Sequence, residues 1–72
     1  MIEQIAESIK EYFDTNEVEI MPPNKIKLLS CIIIEYTSND KITFTDTNDW
    51  YDNVYETNLE NLCNDIRKEL WI

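Results

Sequence analysis

The chain has 72 residues, 15 acids against 6 bases, and neither histidine nor glycine. A net charge of -9 disfavours direct contact with nucleic acid or an anionic membrane, since both need cations to displace counterions, and favours basic protein surfaces. Without histidine the default general base is missing, and without glycine the Gly-rich phosphate loops are excluded.

Seventy-two residues make one domain, spanning 1–72. A chain this short buries little core, and its total stability is expected at about 4–11 kcal/mol. Disorder is disfavoured, because 43% of the residues are hydrophobic. The two cysteines, Cys31 and Cys63, have neither a histidine nor a C-x-x-C partner, so no metal site is expected. They read as two buried small hydrophobes, with a Cys31–Cys63 disulfide as the alternative if sheet and helix meet there. The Met-Ile-Glu-Gln start lacks the basic n-region of a signal peptide, which predicts a cytoplasmic protein.

In chain order, Ile2 to Phe13 reads as an amphipathic helix. Ile2, Ile5, Ala6, Ile9, Tyr12 and Phe13 share one face, and Glu3, Glu7 and Glu11 another. Asp14-Thr15-Asn16 ends it with turn formers. Val18 to Met21 alternates as a short strand, and Pro22-Pro23 stops it, since neither proline donates to a ladder.

Ile26 to Thr37 contains the only long apolar run, Leu28 to Tyr36, and reads as one central strand buried in part on both faces. Ser38-Asn39-Asp40 is a turn, and Lys41 to Asp46 a third strand. A three-residue loop pairs Tyr36 with Ile42 and Ile34 with Phe44. Ile32, Ile34, Tyr36, Ile42 and Phe44 then share one face, and Leu29, Cys31, Ile33, Glu35, Thr43 and Thr45 the other. After the acidic, aromatic stretch Thr47 to Asn53, residues Val54 to Leu70 read as a second helix with Val54, Tyr55, Leu59, Leu62, Cys63, Ile66 and Leu70 on its stripe. Asn53 or Thr57, each with a glutamate three residues on, has the spacing of a capping box.

The predicted class is α+β, a small helix–three-stranded antiparallel sheet–helix domain (α-β-β-β-α). Two helices either cover one sheet face together or divide between the two. In the first case Leu29, Cys31 and Ile33 form an exposed apolar patch suited to a homodimer or another partner.

The charge is uneven along the chain. Residues 1–24 carry six acids and one lysine, and residues 42–66 six acids and no base. Glu3, Glu7 and Glu11 stand four apart, and Asp46, Asp49, Asp52 and Glu56 form a second row. Like-charge i,i+4 pairs on a helix cost about 0.2–0.5 kcal/mol each. One helical turn of about 5.4 Å sets carboxylates at a spacing of the order of phosphates along a strand, and Trp50, beside Asp49 and Asp52, offers a flat group for a site meant for bases. Glu3, Glu7, Glu11, Asp46, Asp49, Trp50, Asp52 and Glu56 are therefore the candidate partner-binding residues. A solvated face that keeps a small domain soluble accounts for the same acids. Asp46 to Thr57 fails as a calcium loop, with Trp50 at position five and Thr57 where a glutamate is required. No serine has a histidine partner and no carboxylate pair is singled out, so no enzyme activity, cofactor or metal is expected.

In size, acidity, lack of glycine and histidine, and the rows Glu3-Glu7-Glu11 and Asp46-Asp49-Asp52-Glu56, the chain resembles the small acidic inhibitors of phages and mobile elements: anti-CRISPR proteins, uracil-DNA glycosylase inhibitors and anti-restriction proteins. The order helix, three strands, helix is also similar to one anti-CRISPR inhibitor of an RNA-guided nuclease. Glu7-Ser8-Ile9 echoes a Glu-Ser-Ile segment that the glycosylase inhibitors present to their enzyme. Here it lies in a helix, and no residue role is carried over. The resemblance implies a DNA mimic that acts in the host cytoplasm by docking on the basic nucleic-acid-binding surface of a defence or DNA-processing protein. The alternative is an interaction module (antitoxin, immunity protein or dimeric adaptor) that binds through the apolar sheet face.

Overall fold

The computed structural model describes residues 1–48 and 53–70. Helix α1 (Ile2–Phe13) is followed by strands β1 (Val18–Met21), β2 (Lys25–Leu28), β3 (Ile32–Ser38), β4 (Lys41–Asp46) and β5 (Val54–Thr57), and by helix α2 (Leu62–Leu70). The five strands form one antiparallel meander in the order β1-β2-β3-β4-β5. The α+β class stands, with five strands rather than three.

Helix α1 has the predicted limits. Ile5, Ala6 and Ile9 are buried on its inner stripe. It ends where Asp14 turns left-handed (φ 50°) and donates its backbone N–H to the Lys10 carbonyl, satisfying one of the carbonyls a helix end leaves open. The hairpin β3–β4 has the predicted register, Ile34 opposite Phe44 and Tyr36 opposite Ile42. Its tip is tighter than expected. Ser38 pairs with Lys41 across a two-residue Asn39-Asp40 turn, and an irregularity between Tyr36 and Ser38 restores the register. The extra residue of a bulge does this without moving any side chain to the wrong face.

Two expectations fail. The run from Ile26 to Thr37 is two strands, not one. Leu29 and Ser30 both take left-handed φ (54° and 63°), and the Cys31 N–H returns to the Leu28 carbonyl at 3.2 Å. Two successive positive φ values define the hairpin turn that suits strand twist. It is usually built with glycine or asparagine, and this chain builds it with leucine and serine. Neighbours on both sides hold it. The Leu29 N–H donates to the Glu17 carbonyl (2.8 Å), and the Thr47 N–H and hydroxyl both donate to the Cys31 carbonyl (each 2.7 Å).

Second, Val54 to Thr57 is a strand, so the second helix begins at Leu62 rather than Val54. Tyr55 and Thr57 point inward opposite Phe44 and Ile42. Tyr55 stacks on Phe44 with ring centroids 5.1 Å apart. The Thr57 hydroxyl donates to the Asp65 carboxylate at 2.5 Å, tying the strand to α2. Asn53 and Thr57 lie ahead of the helix, Asn58 closes the turn that leads into it by accepting the Asn61 N–H on its side-chain oxygen (2.9 Å), and the Asn61 carbonyl accepts the Asp65 N–H (2.8 Å).

The core is one cluster. Ile26, Leu28, Ile32, Ile34, Ile42 and Phe44 from the sheet meet Ile5, Ala6 and Ile9 of α1 and Leu62 and Ile66 of α2. Both helices therefore cover the same face. The opposite face carries two cross-strand rows, Glu19-Lys27-Ile33-Thr45-Val54 and Met21-Lys25-Glu35-Thr43-Glu56. Its edge strands β1 and β5 have four residues each, and short charged edges resist strand addition. Among the described residues no helix is long and apolar enough to cross a membrane.

Candidate functional site

The outer face of α1 is the best-defined acidic surface. Burial of Ile5, Ala6 and Ile9 fixes the helix's rotation, and that alone turns Glu3, Glu7 and Glu11 outward. All three are exposed. The N-terminal ammonium lies 3.5 Å from Glu3, and Lys10 lies 3.6 Å from Glu7. The Glu3 carboxyl is held below its ordinary range, first by a hydrogen bond from its own backbone N–H and then by the N-terminal ammonium. Glu3 and Glu7 are thus each paired with a cation of the chain itself. Such exposed pairs are weak because solvent screens them, so a stronger cationic partner can replace them.

Of the second row, Asp46 and Glu56 lie among the described residues. Glu56 is exposed on the uncovered face of β5, opposite Thr43, whereas the α1 acids lie on the helix layer at the other side of the sheet. Asp46, half-buried at the end of β4, accepts the Asn48 N–H at 3.0 Å. Asp49, Trp50 and Asp52 lie outside the described residues. Among the described residues, Glu56 and the α1 acids lie on opposite sides of the sheet.

The proposed dimer patch also separates. Ile33 sits at the centre of the uncovered face, half-buried between Lys27 and Thr45. Leu29 and Cys31 belong to the left-handed turn and pack against the core from its end. Around Ile33 the face is mixed in charge, with Lys25 3.9 Å from Glu35. Cys31 and Cys63 are both free and half-buried. Burial, then the nearby Asp46 and Glu17 carboxylates, pushes the Cys31 thiol up, and burial pushes the Cys63 thiol up. Among the described residues no group of three His, Cys, Asp or Glu side chains is placed to hold a metal ion.

One feature of the surface was not foreseen in the sequence. A groove of about 310 Å³ runs between the N-terminal half of α1 and the segment Leu59–Cys63. Ile5, Ile9 and Leu62 form its floor, and Met1 (57% exposed) and Leu59 (36% exposed) its rim. A helical stripe over Val54–Leu70 would turn Leu59 inward, whereas Leu59 is an exposed turn residue. No family model, curated protein or solved structure matches the chain.

Proposed function

We propose that the protein is a small acidic inhibitor, of the kind found in phages and mobile elements, that occupies the basic nucleic-acid-binding surface of a host defence or DNA-processing protein. The observation that carries this reading is the exposed row Glu3-Glu7-Glu11 on a helix whose opposite stripe is locked in the core. Three like charges at one-turn spacing destabilise a helix slightly, and a docking face gives that arrangement a use. The rigid helix presents carboxylates at fixed spacing, so little order must be gained on binding. The uncovered sheet face supports the interaction-module alternative less well, because its central Ile33 is ringed by charged and hydroxyl side chains.

Capture of the target on the immobilised protein from host lysate, followed by competition, tests the proposal. The captured protein is expected to bind duplex DNA, to be displaced by DNA, and to leave the column as salt rises. Retention through high salt, or simultaneous binding of DNA and the acidic protein, would falsify the mimic. Charge reversal at Glu7 and Glu11 is expected to abolish capture while the fold persists by circular dichroism.

A further inference from the structure

We infer that this chain exchanges its first lobe, residues 1–28, with a second copy of itself. The turn at Leu29-Ser30 opens into a straight hinge, and the product is a domain-swapped dimer. Nothing in it depends on the basic partner proposed above.

The turn divides the fold into two lobes, each with its own helix. Before it stand α1, β1 and β2, with α1 packed on both strands. After it stand β3, β4, β5 and α2, with α2 packed on β4. The lobes meet along the β2–β3 ladder, where Lys25 is opposite Glu35 and Leu28 opposite Ile32, and through the shared core. Two bonds beside the ladder also join them. The Tyr36 N–H donates to the Asn24 carbonyl (2.8 Å), and the Asn24 side-chain amide donates to the Tyr36 carbonyl (3.0 Å). The same residues of a second copy can make every one of these contacts, which is why exchange of an identical element is a low-cost route to a dimer.

The ties that hold the turn do not oppose its opening. The Glu17 carbonyl and the Leu29 N–H lie together at the end of the first lobe, and the Cys31 carbonyl and Thr47 lie together in the second. The bond that closes the turn itself, from the Cys31 N–H to the Leu28 carbonyl at 3.2 Å, is what the open hinge gives up. In return Leu29 and Ser30 leave φ values of 54° and 63°, which are costly for residues with a Cβ. Short hinges under strain invite such exchange. Side-chain phase adds no penalty. Leu28 and Ile32 are four residues apart and both buried, so a straight strand from Lys25 to Ser38 keeps both on the core side. What opposes the dimer is a net charge of -9 on each copy, and salt screens that repulsion.

The test unfolds the full chain in urea and refolds it in high salt, at low and at high protein concentration. Size exclusion with light scattering reads the products. A dimer is expected from the concentrated sample, and it should revert slowly, because the lobes must part before they exchange. Ser30→Val worsens the closed turn and suits a strand, so it should tighten the dimer. Ser30→Asn eases the turn and should weaken it. Two turns open per dimer, so an effect of about tenfold per chain becomes about a hundredfold in the dissociation constant. Should Ser30→Val fail to refold, the parent against Ser30→Asn decides by the same sign. Connectivity is read from a variant combining Cys31→Ala, Cys63→Ala, Lys27→Cys and Ile33→Cys, since positions 27 and 33 are directly opposite across β2 and β3. Oxidation should link two chains in the dimer fraction and close within one chain in the monomer fraction, as a denaturing gel shows. Bridges that stay within single chains in the dimer fraction would mean surface association, and the inference is then wrong. It is also wrong if neither the parent nor Ser30→Val yields a dimer, or if Ser30→Asn dimerises more tightly than the parent.

Discussion

The turn at Leu29-Ser30 separates two readings of the chain's most apolar stretch, and a substitution at Ser30 distinguishes them by sign. Ser30 is exposed, so changes there act through the backbone. A left-handed conformation costs a residue with a Cβ about 1–2 kcal/mol. Asparagine tolerates it through local hydrogen bonding, so Ser30→Asn should gain about 0.5–1 kcal/mol. Glycine also removes the clash but gives back about 0.5–1 kcal/mol in chain entropy, so Ser30→Gly should lie near neutral. A β-branched residue is worst at positive φ, and Ser30→Val should lose about 1–2 kcal/mol. In an unbroken strand the order would invert, since valine favours strands and asparagine and glycine do not. Urea unfolding followed by far-UV circular dichroism reads the series. For a domain of this size 1 kcal/mol also moves the melting temperature by about 4–8 °C. The turn is refuted if Ser30→Val matches or exceeds the parent while Ser30→Asn falls below it.

Two further outcomes follow from the same structure. Glu11→Lys replaces the repulsive Glu7/Glu11 pair with a favourable one and sets a cation near the C-terminus of α1, so it should stabilise the fold by about 0.5–1 kcal/mol yet weaken capture of the basic partner. A variant that is more stable in urea and binds as well as the parent would remove the α1 row from the site. Both thiols have folded values raised above the ordinary 9.0, so the unfolded chain releases these protons first. Their contribution to stability is therefore present below about pH 8.5–9 and is lost as pH rises through the folded values. Iodoacetamide at pH 8.5 should label the native protein more slowly than the urea-unfolded one, and Cys63→Ala should flatten the alkaline loss of stability.

The parts of the fold that were legible in the sequence are those in which one period acts alone. In α1 the 3.6-residue period of Ile2, Ile5, Ile9 and Phe13 has no competitor. In β3–β4 the alternation of Ile32, Ile34, Tyr36, Ile42 and Phe44 fixes a register that a bulge at the tip preserves. The left-handed turn was illegible for a definite reason. Ile26 and Leu28 are in phase with Ile32 and Ile34, so a strand passing straight through 29–31 puts the same side chains inside as a hairpin does. The residues that hold the turn, Glu17 and Thr47, lie far away in sequence. β5 was hidden by coincidence. Val54, Tyr55, Leu59 and Leu62 fit a helical stripe, while the β-favouring Val54, Tyr55 and Thr57 and the turn-forming Asn58 carry the correct signal.

That second error changes the functional argument more than the fold. Read as a helix start, Glu56 continues an acidic row from Asp46 and gives the molecule two carboxylate rows. As a strand residue, Glu56 faces away from α1 across the thickness of the sheet. A single rigid groove on a partner cannot touch both at once without wrapping around the domain. Among the described residues, the proposed docking surface therefore rests on the outer face of α1. Glu7→Lys should then slow association of the basic partner and leave its release nearly unchanged, whereas an unchanged association rate would take the α1 row out of the site.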